Sequence, residues 1–131
     1  MSQENVDRFM ESVAAFNRLD VPAALRQLDP EILFEHRLAE LQGSYAGLEG
    51  VEAFFVDVAE HFAALKVDCP DVRDLGDRVL ALGTTRLTGK GSGAETEMPF
   101  AVVAQFRAGR MTHFTDYGDK DQALEAVGLS E

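Results

Sequence analysis

Residues 66–117 read KVDCPDVRDLGDRVLALGTTRLTGKGSGAETEMPFAVVAQFRAGRMTHFTDY. Apolar residues return at every second position in four runs: Lys66 to Leu75, Arg78 to Lys90, Glu95 to Arg107 and Met111 to Tyr117. Gly76-Asp77, Gly91-Ser92-Gly93 and Ala108-Gly109 separate them, turn-forming residues in gaps of hairpin length, so the runs predict an antiparallel meander. Within the second run one face carries Val79, Ala81, Gly83, Thr85 and Leu87, and the other Leu80, Leu82, Thr84, Arg86 and Thr88. Both faces are largely apolar or small, the pattern of a strand covered on both sides. A single helical layer covers one face only, so a second copy of the chain is expected on the convex face, making a homodimer.

Upstream the period lengthens. Ser2 can cap a first helix in which Val6, Phe9, Met10, Val13 and Phe16 recur at three- and four-residue steps. Asp20 caps a short second helix with Pro22 in its first turn and Pro30 beyond its end. Ile32 to Leu38 predicts a strand with Ile32, Phe34, His36 and Leu38 on one face, followed by a loop through Gly43, Gly47 and Gly50. A third helix is predicted from about Gly50 to Leu65, its buried stripe formed by Val51, Phe54, Phe55, Val58 and Phe62. Asp119 and Gln122 start a last helix carrying Ala123, Leu124 and Val127, and Gly128 suits its C-terminal cap. Helices on one side of a curved sheet make a cup, and the expected class is α+β.

With 131 residues, one domain spanning 1–131 is expected. A 46% apolar and 27% charged composition is that of a folded chain. The formal net charge is −11, and the 12 Lys and Arg residues are scattered singly, which argues against nucleic acid as a partner. No run approaches a membrane span and the first residues do not resemble a signal peptide, so no membrane partner and a cytoplasmic location are expected. Cys69 has no second thiol, and His36, His61 and His113 fall in no metal-binding spacing, so no metal or cofactor is expected.

Several segments are shared with a known family. Asn17-Arg18-Leu19-Asp20, Asp29-Pro30-Glu31-Ile32-Leu33-Phe34, Gly47-Leu48-Glu49-Gly50-Val51 and Tyr117-Gly118-Asp119-Lys120, with Ala123 to Leu129, occur in an order that resembles SnoaL-like members of the NTF2-like superfamily. That resemblance covers nearly the whole chain. It implies a cone-shaped curved antiparallel sheet wrapped around N-terminal helices, an α+β barrel of cystatin-like type, enclosing an apolar pocket. Relatives include ketosteroid isomerase, limonene epoxide hydrolase and polyketide cyclases, whose activities differ widely on one fold.

The resemblance also implies which residues face inward. Pocket-lining positions are then Ser12, Phe16, Phe34, Leu38, Phe54, Phe55, Val58, Leu82, Thr84, Thr88, Phe100, Val102, Ala104 and Phe114, with Phe106 and Thr112 on the same inward faces and His36, Arg86 and Asp116 as the ionisable groups. His36 stands where ketosteroid isomerase has its catalytic carboxylate. It is either a general base or a half-buried histidine bonded to a nearby carbonyl. Arg86 and Asp116 lie in segments resembling those of the epoxide hydrolase Asp-Arg-Asp site, where Thr88 replaces one aspartate and Phe34 and His36 replace the residues that hold water. They either contact a ligand or neutralise each other. Ser12 and Val102 occupy the isomerase oxyanion positions, and Asp116 lies near the cyclase acid–base aspartate. The expected function is binding of a small apolar or cyclic molecule, with acid–base isomerase or cyclase chemistry as one reading and non-catalytic binding or a dimeric interaction domain as the other.

Overall fold

The computed structural model describes residues 2–38 and 41–129. The chain runs α1 (Ser2–Asn17), α2 (Val21–Arg26), β1 (Leu28–Leu38), β2 (Leu41–Ala46), α3 (Gly47–His61), β3 (Phe62–Asp74), β4 (Arg78–Gly89), β5 (Glu95–Arg107), β6 (Arg110–Asp116) and α4 (Lys120–Ala126). The strands form one curved, unclosed six-stranded sheet in the order β2-β1-β6-β5-β4-β3. All neighbours are antiparallel except β1 and β6, which run parallel, with Phe34 opposite Phe114. Helices α1, α2 and α3 pack into the concave side, where Phe9, Ile32, Val51, Phe54, Val58, Val79 and Val102 form the main core. Among the described residues no helix is long and apolar enough to cross a membrane.

The caps do what their sequence dictates. The Asp20 carboxylate accepts from the Ala23 N–H at 3.2 Å and the Asp119 carboxylate from the Asp121 N–H at 2.8 Å, satisfying donors that open each helix. Gly128 ends α4 with φ +78°, a conformation L side chains rarely adopt.

Three boundaries differ from the sequence expectation. Leu41–Ala46, read as loop because of Gly43 and Gly47, is the edge strand β2, pairing antiparallel with β1 so that Tyr45 lies opposite Phe34. Helix α3 stops at His61, and Phe62 to Leu65 join β3 opposite Leu87 to Gly89. Apolar residues at 58, 62 and 65 fit a helix as well as a strand start, and pairing with β4 overrides the helix preference of Ala63 and Ala64. Strand β1 begins at Leu28, its pairing with β6 shifting between Leu28 and Leu33, where Pro30 has no N–H to give a ladder.

The larger correction concerns which face of β4 looks inward. Val79 and Ala81 belong to the concave core, while Leu80 and Leu82 pack with Ala101, Ala123 and Leu124 in a second cluster beneath α4. Even-numbered residues of β4 therefore lie on the convex face, opposite odd-numbered residues of β5 such as Glu97 and Ala101. The apolar character of both faces has an internal cause: α4 folds back over part of the convex side. Gly83 allows a close approach of two strands, since a Cβ there would lie 1.9 Å from the Asp68 carbonyl oxygen at the bulge of β3.

Strand β3 is an edge, and its exposed ladder is closed at one point by a side chain. Asn17, the last residue of α1, donates from Nδ2 to the Val67 carbonyl at 2.9 Å and accepts the Val67 N–H on Oδ1 at 2.8 Å. One amide thus replaces a neighbouring strand and pins α1 to the sheet. Asn17→Ala strands both groups of buried Val67 and is expected to cost about 1–3 kcal/mol, read as a lowered denaturant midpoint. Asn17→Asp, which keeps the acceptor but turns a carboxylate oxygen toward the Val67 carbonyl, should not recover the loss.

Candidate functional site

Alternation along β1 sends Ile32, Phe34 and His36 to the concave face, and β6 delivers Phe114 and Asp116 beside them. Phe34 and Phe114 stack at 4.5 Å between ring centroids, tilted by 14°. From the helical side Phe54 of α3 meets Phe34 at 4.8 Å and His36 at 4.3 Å, and Tyr45 of β2 lies over the imidazole at 5.3 Å and 21°. Beneath this cluster is a cavity of about 70 Å³. Its wall is almost wholly apolar: Phe9, Phe16, Phe55, Val67, Phe100 and Met111 contribute, with Ser12, His36, Thr85 and Asp116 as the polar exceptions.

His36 is 3% exposed, and neither ring nitrogen has a hydrogen-bond partner among the described residues. Loss of water around it dominates and lowers its pKa from 6.5 to about 4, against the weaker pull of the Asp57 carboxylate. The ring is therefore neutral near pH 7, one nitrogen a donor and the other an acceptor. Tyr45 is turned away from proton transfer, since its hydroxyl donates to Asp57 at 3.0 Å and burial and that bond both raise its pKa. Asp116 is buried, and its Oδ1 accepts from the N–H of Gly118 at 2.9 Å and of Ala101 at 3.4 Å. Ser12 spends its proton on the Arg8 carbonyl one turn back, at 3.2 Å.

Of the three ionisable residues singled out in the sequence, His36 and Asp116 face this cavity and Arg86 does not. The Arg86 side chain is 61% exposed on the convex face and pairs with Glu97 at 3.4 Å. Thr84 and Thr88 share that face, and Leu82 is covered by α4, so these four residues of β4 leave the site together. The physical signal was present: a guanidinium is seldom buried, and with odd residues inward Arg86 acquires a cross-strand carboxylate. Val58, Val102 and Ala104 are in the concave core without reaching the cavity wall. The side chain of Leu38 lies outside the described residues.

Thr85 and Tyr45 are not legible in the sequence: β4 has no polar face to set its phase, and Gly43 and Gly47 give 41–46 the composition of a loop. His61 and His113 are both exposed, and among the described residues no three His, Cys, Asp or Glu side chains cluster as a metal site would require. Burial and the nearby Asp68 charge raise the Cys69 thiol to about 11, leaving it inert.

The sequence profile of the SnoaL-like domain matches residues 6–114. An NTF2-like protein of unknown function from Burkholderia pseudomallei K96243 is 28% identical, with 96% of this chain and 98% of that one covered at a TM-score of 0.81. TerC, co-crystallised with polyporic acid, is 22% identical over 95% and 98% of the two chains, TM-score 0.80. A candidate polyketide cyclase from Xanthomonas campestris pv. campestris is 19% identical over 97% and 98%, TM-score 0.75. No curated protein matches the chain.

The lowered pKa of His36 has a consequence for stability. Between pH 6.5 and about 4 the unfolded chain takes up a proton at this residue that the folded chain refuses, so stability falls as pH drops through that window and is independent of this group above it. A shift of this size corresponds to about 3 kcal/mol. Denaturant titrations from pH 7.5 to 4 should show a steeper loss in the wild type than in His36→Phe, which keeps an aromatic ring but cannot be protonated.

Proposed function

Because the chain belongs to the SnoaL-like domain family, we propose that it binds a small, largely apolar cyclic molecule in the interior cavity and that His36, which shares the cavity wall with Asp116, exchanges a proton with the polar end of that molecule. The observation that carries this reading is a buried imidazole with two unpartnered nitrogens in an otherwise apolar cavity. An unmet polar group of this kind costs about 1–3 kcal/mol unless something bonds to it. Solvent or ligand oxygen is what such a cavity can supply.

Size and basicity narrow the ligand. A cavity of about 70 Å³ is about half the roughly 150 Å³ of an apolar cavity that takes benzene. The resting protein thus receives the end of a ring-bearing molecule and must shift side chains to take more. A base whose conjugate acid lies at about 4 is matched to an acidic proton, such as that of an enol or of a carbon between two carbonyls. This is isomerase or cyclase chemistry on an oxygenated ring. TerC, co-crystallised with polyporic acid, and the candidate polyketide cyclase from Xanthomonas support that class.

A second reading, binding without turnover, is favoured by the position of Arg86. With that cation on the convex face, no Lys or Arg among the described residues lines the cavity to stabilise a developing oxyanion. Both readings include self-association through the part of the convex face that α4 leaves open, where Leu33 is 46% exposed.

Monocyclic phenols, hydroxyquinones and cyclic 1,3-diketones should perturb the NMR resonances of His36 and Phe54. His36→Phe should weaken binding about fivefold, the value of one hydrogen bond near 1 kcal/mol. Equal binding by the variant would sink the assignment of His36. Any turnover found should vanish in His36→Phe under the enzymatic reading, and an absence of turnover with retained binding selects the second. Light scattering of the 14.3 kDa chain at micromolar concentration should give twice that mass.

A further inference from the structure

We propose that Thr85 is a specificity-determining contact for a second oxygen of the ligand, so that the preferred ligand is an apolar body with oxygen functions at two separated positions. This rests on the reading of the cavity given above. Thr85 is 1% exposed and lines the cavity, and no group among the described residues bonds to its hydroxyl. Its surroundings give no reason for a hydroxyl: Val67 lies opposite on β3, Met98 opposite on β5, and Phe100 completes the wall. Valine has nearly the same shape and serves a strand equally well without burying an unbonded hydroxyl, so the oxygen at this position is the anomaly.

Position separates this hydroxyl from the groups already described. Asp116 pairs with Val102, Val102 with Ala81, and Thr85 lies a further four residues along β4. His36 extends one residue past the last β1–β6 pair, Glu35 with Thr115, on the same side of the sheet as Asp116. On the sheet side of the cavity, register therefore separates Thr85 on β4 from His36 on β1 and Asp116 on β6, while Phe9, Phe16, Phe54 and Phe100 line the same wall. A ligand oxygen at the far end can accept the Thr85 proton or donate to its oxygen, which a purely apolar tail cannot do. A site built to bond a ligand hydroxyl discriminates against the analogue lacking it, because its own polar group is then left unmet.

Two measurements test this. In the absence of ligand, Thr85→Val should leave the denaturant midpoint unchanged or raised; a lowered midpoint would mean that the fold uses the hydroxyl, and the proposal fails. With ligand, two matched pairs serve as probes: p-cresol with hydroquinone, and 4-phenylphenol with 4,4′-dihydroxybiphenyl, each pair differing at the distal oxygen. In at least one pair the diol should bind Thr85→Val about fivefold more weakly than wild type. The mono-ol should bind both proteins alike, and Thr85→Ser should restore the diol. If neither diol discriminates, Thr85 is no ligand contact while the cavity reading stands. If wild type binds none of the four, the cavity reading falls and the role of Thr85 with it.

Discussion

The ring of Phe54 is where the helical layer meets the sheet. Its centroid lies 6.0 Å from Phe16 on α1, 4.8 Å from Phe34 and 4.3 Å from His36 on β1, and 5.6 Å from Tyr45 on β2. Aromatic contacts of this kind are worth about 0.5–1.5 kcal/mol each beyond the area they bury. They also fix orientation, which matters more here. With Phe34 locked between Phe54 and Phe114, the next inward residue of β1 has one place to go, and that residue is His36.

The electrostatics of the interior follow from that packing. A ring clamped by Tyr45 and Phe54 is stripped of water, and desolvation outweighs the nearby carboxylate of Asp57, so the imidazole stays neutral. The same carboxylate holds the Tyr45 hydroxyl, keeping the ring flat against His36. A chain of net charge −11 thus encloses a cavity in whose wall, among the described residues, there is no Lys or Arg. The convex side has the opposite character, with Arg86 paired to Glu97 in solvent, where such a pair contributes little.

Edges and ends are managed by single residues. Asn17 closes the ladder of β3 at Val67, Gly83 lets the β3 bulge press against β4, and α4 covers Leu80 and Leu82 on the side away from the helices. Each keeps the sheet curved or covered, and curvature is what leaves space between β4 and α1. A fully packed interior would have had no use for a hydroxyl at Thr85.

The fold was legible in the chain because its signals are local. Period-two runs from Lys66 to Tyr117, caps at Asp20 and Asp119, and the apolar stripes of α1 and α3 each depend on neighbours a few residues away. Alternation along β1 and β6 likewise put Phe34, His36, Phe114 and Asp116 on one face, because their other faces are polar enough to set the phase. Strand β4 offered no such contrast, and its phase was decided by contacts distant in sequence: α4 over Leu80 and Leu82, and the hairpin register that sets Arg86 opposite Glu97. The pairing of β2 with β1, the conversion of Phe62 to Leu65 from helix to strand, and the cavity between Thr85 and His36 are also products of long-range packing. Periodicity shows that a strand has two faces, but only tertiary structure decides which of two apolar faces the helices cover.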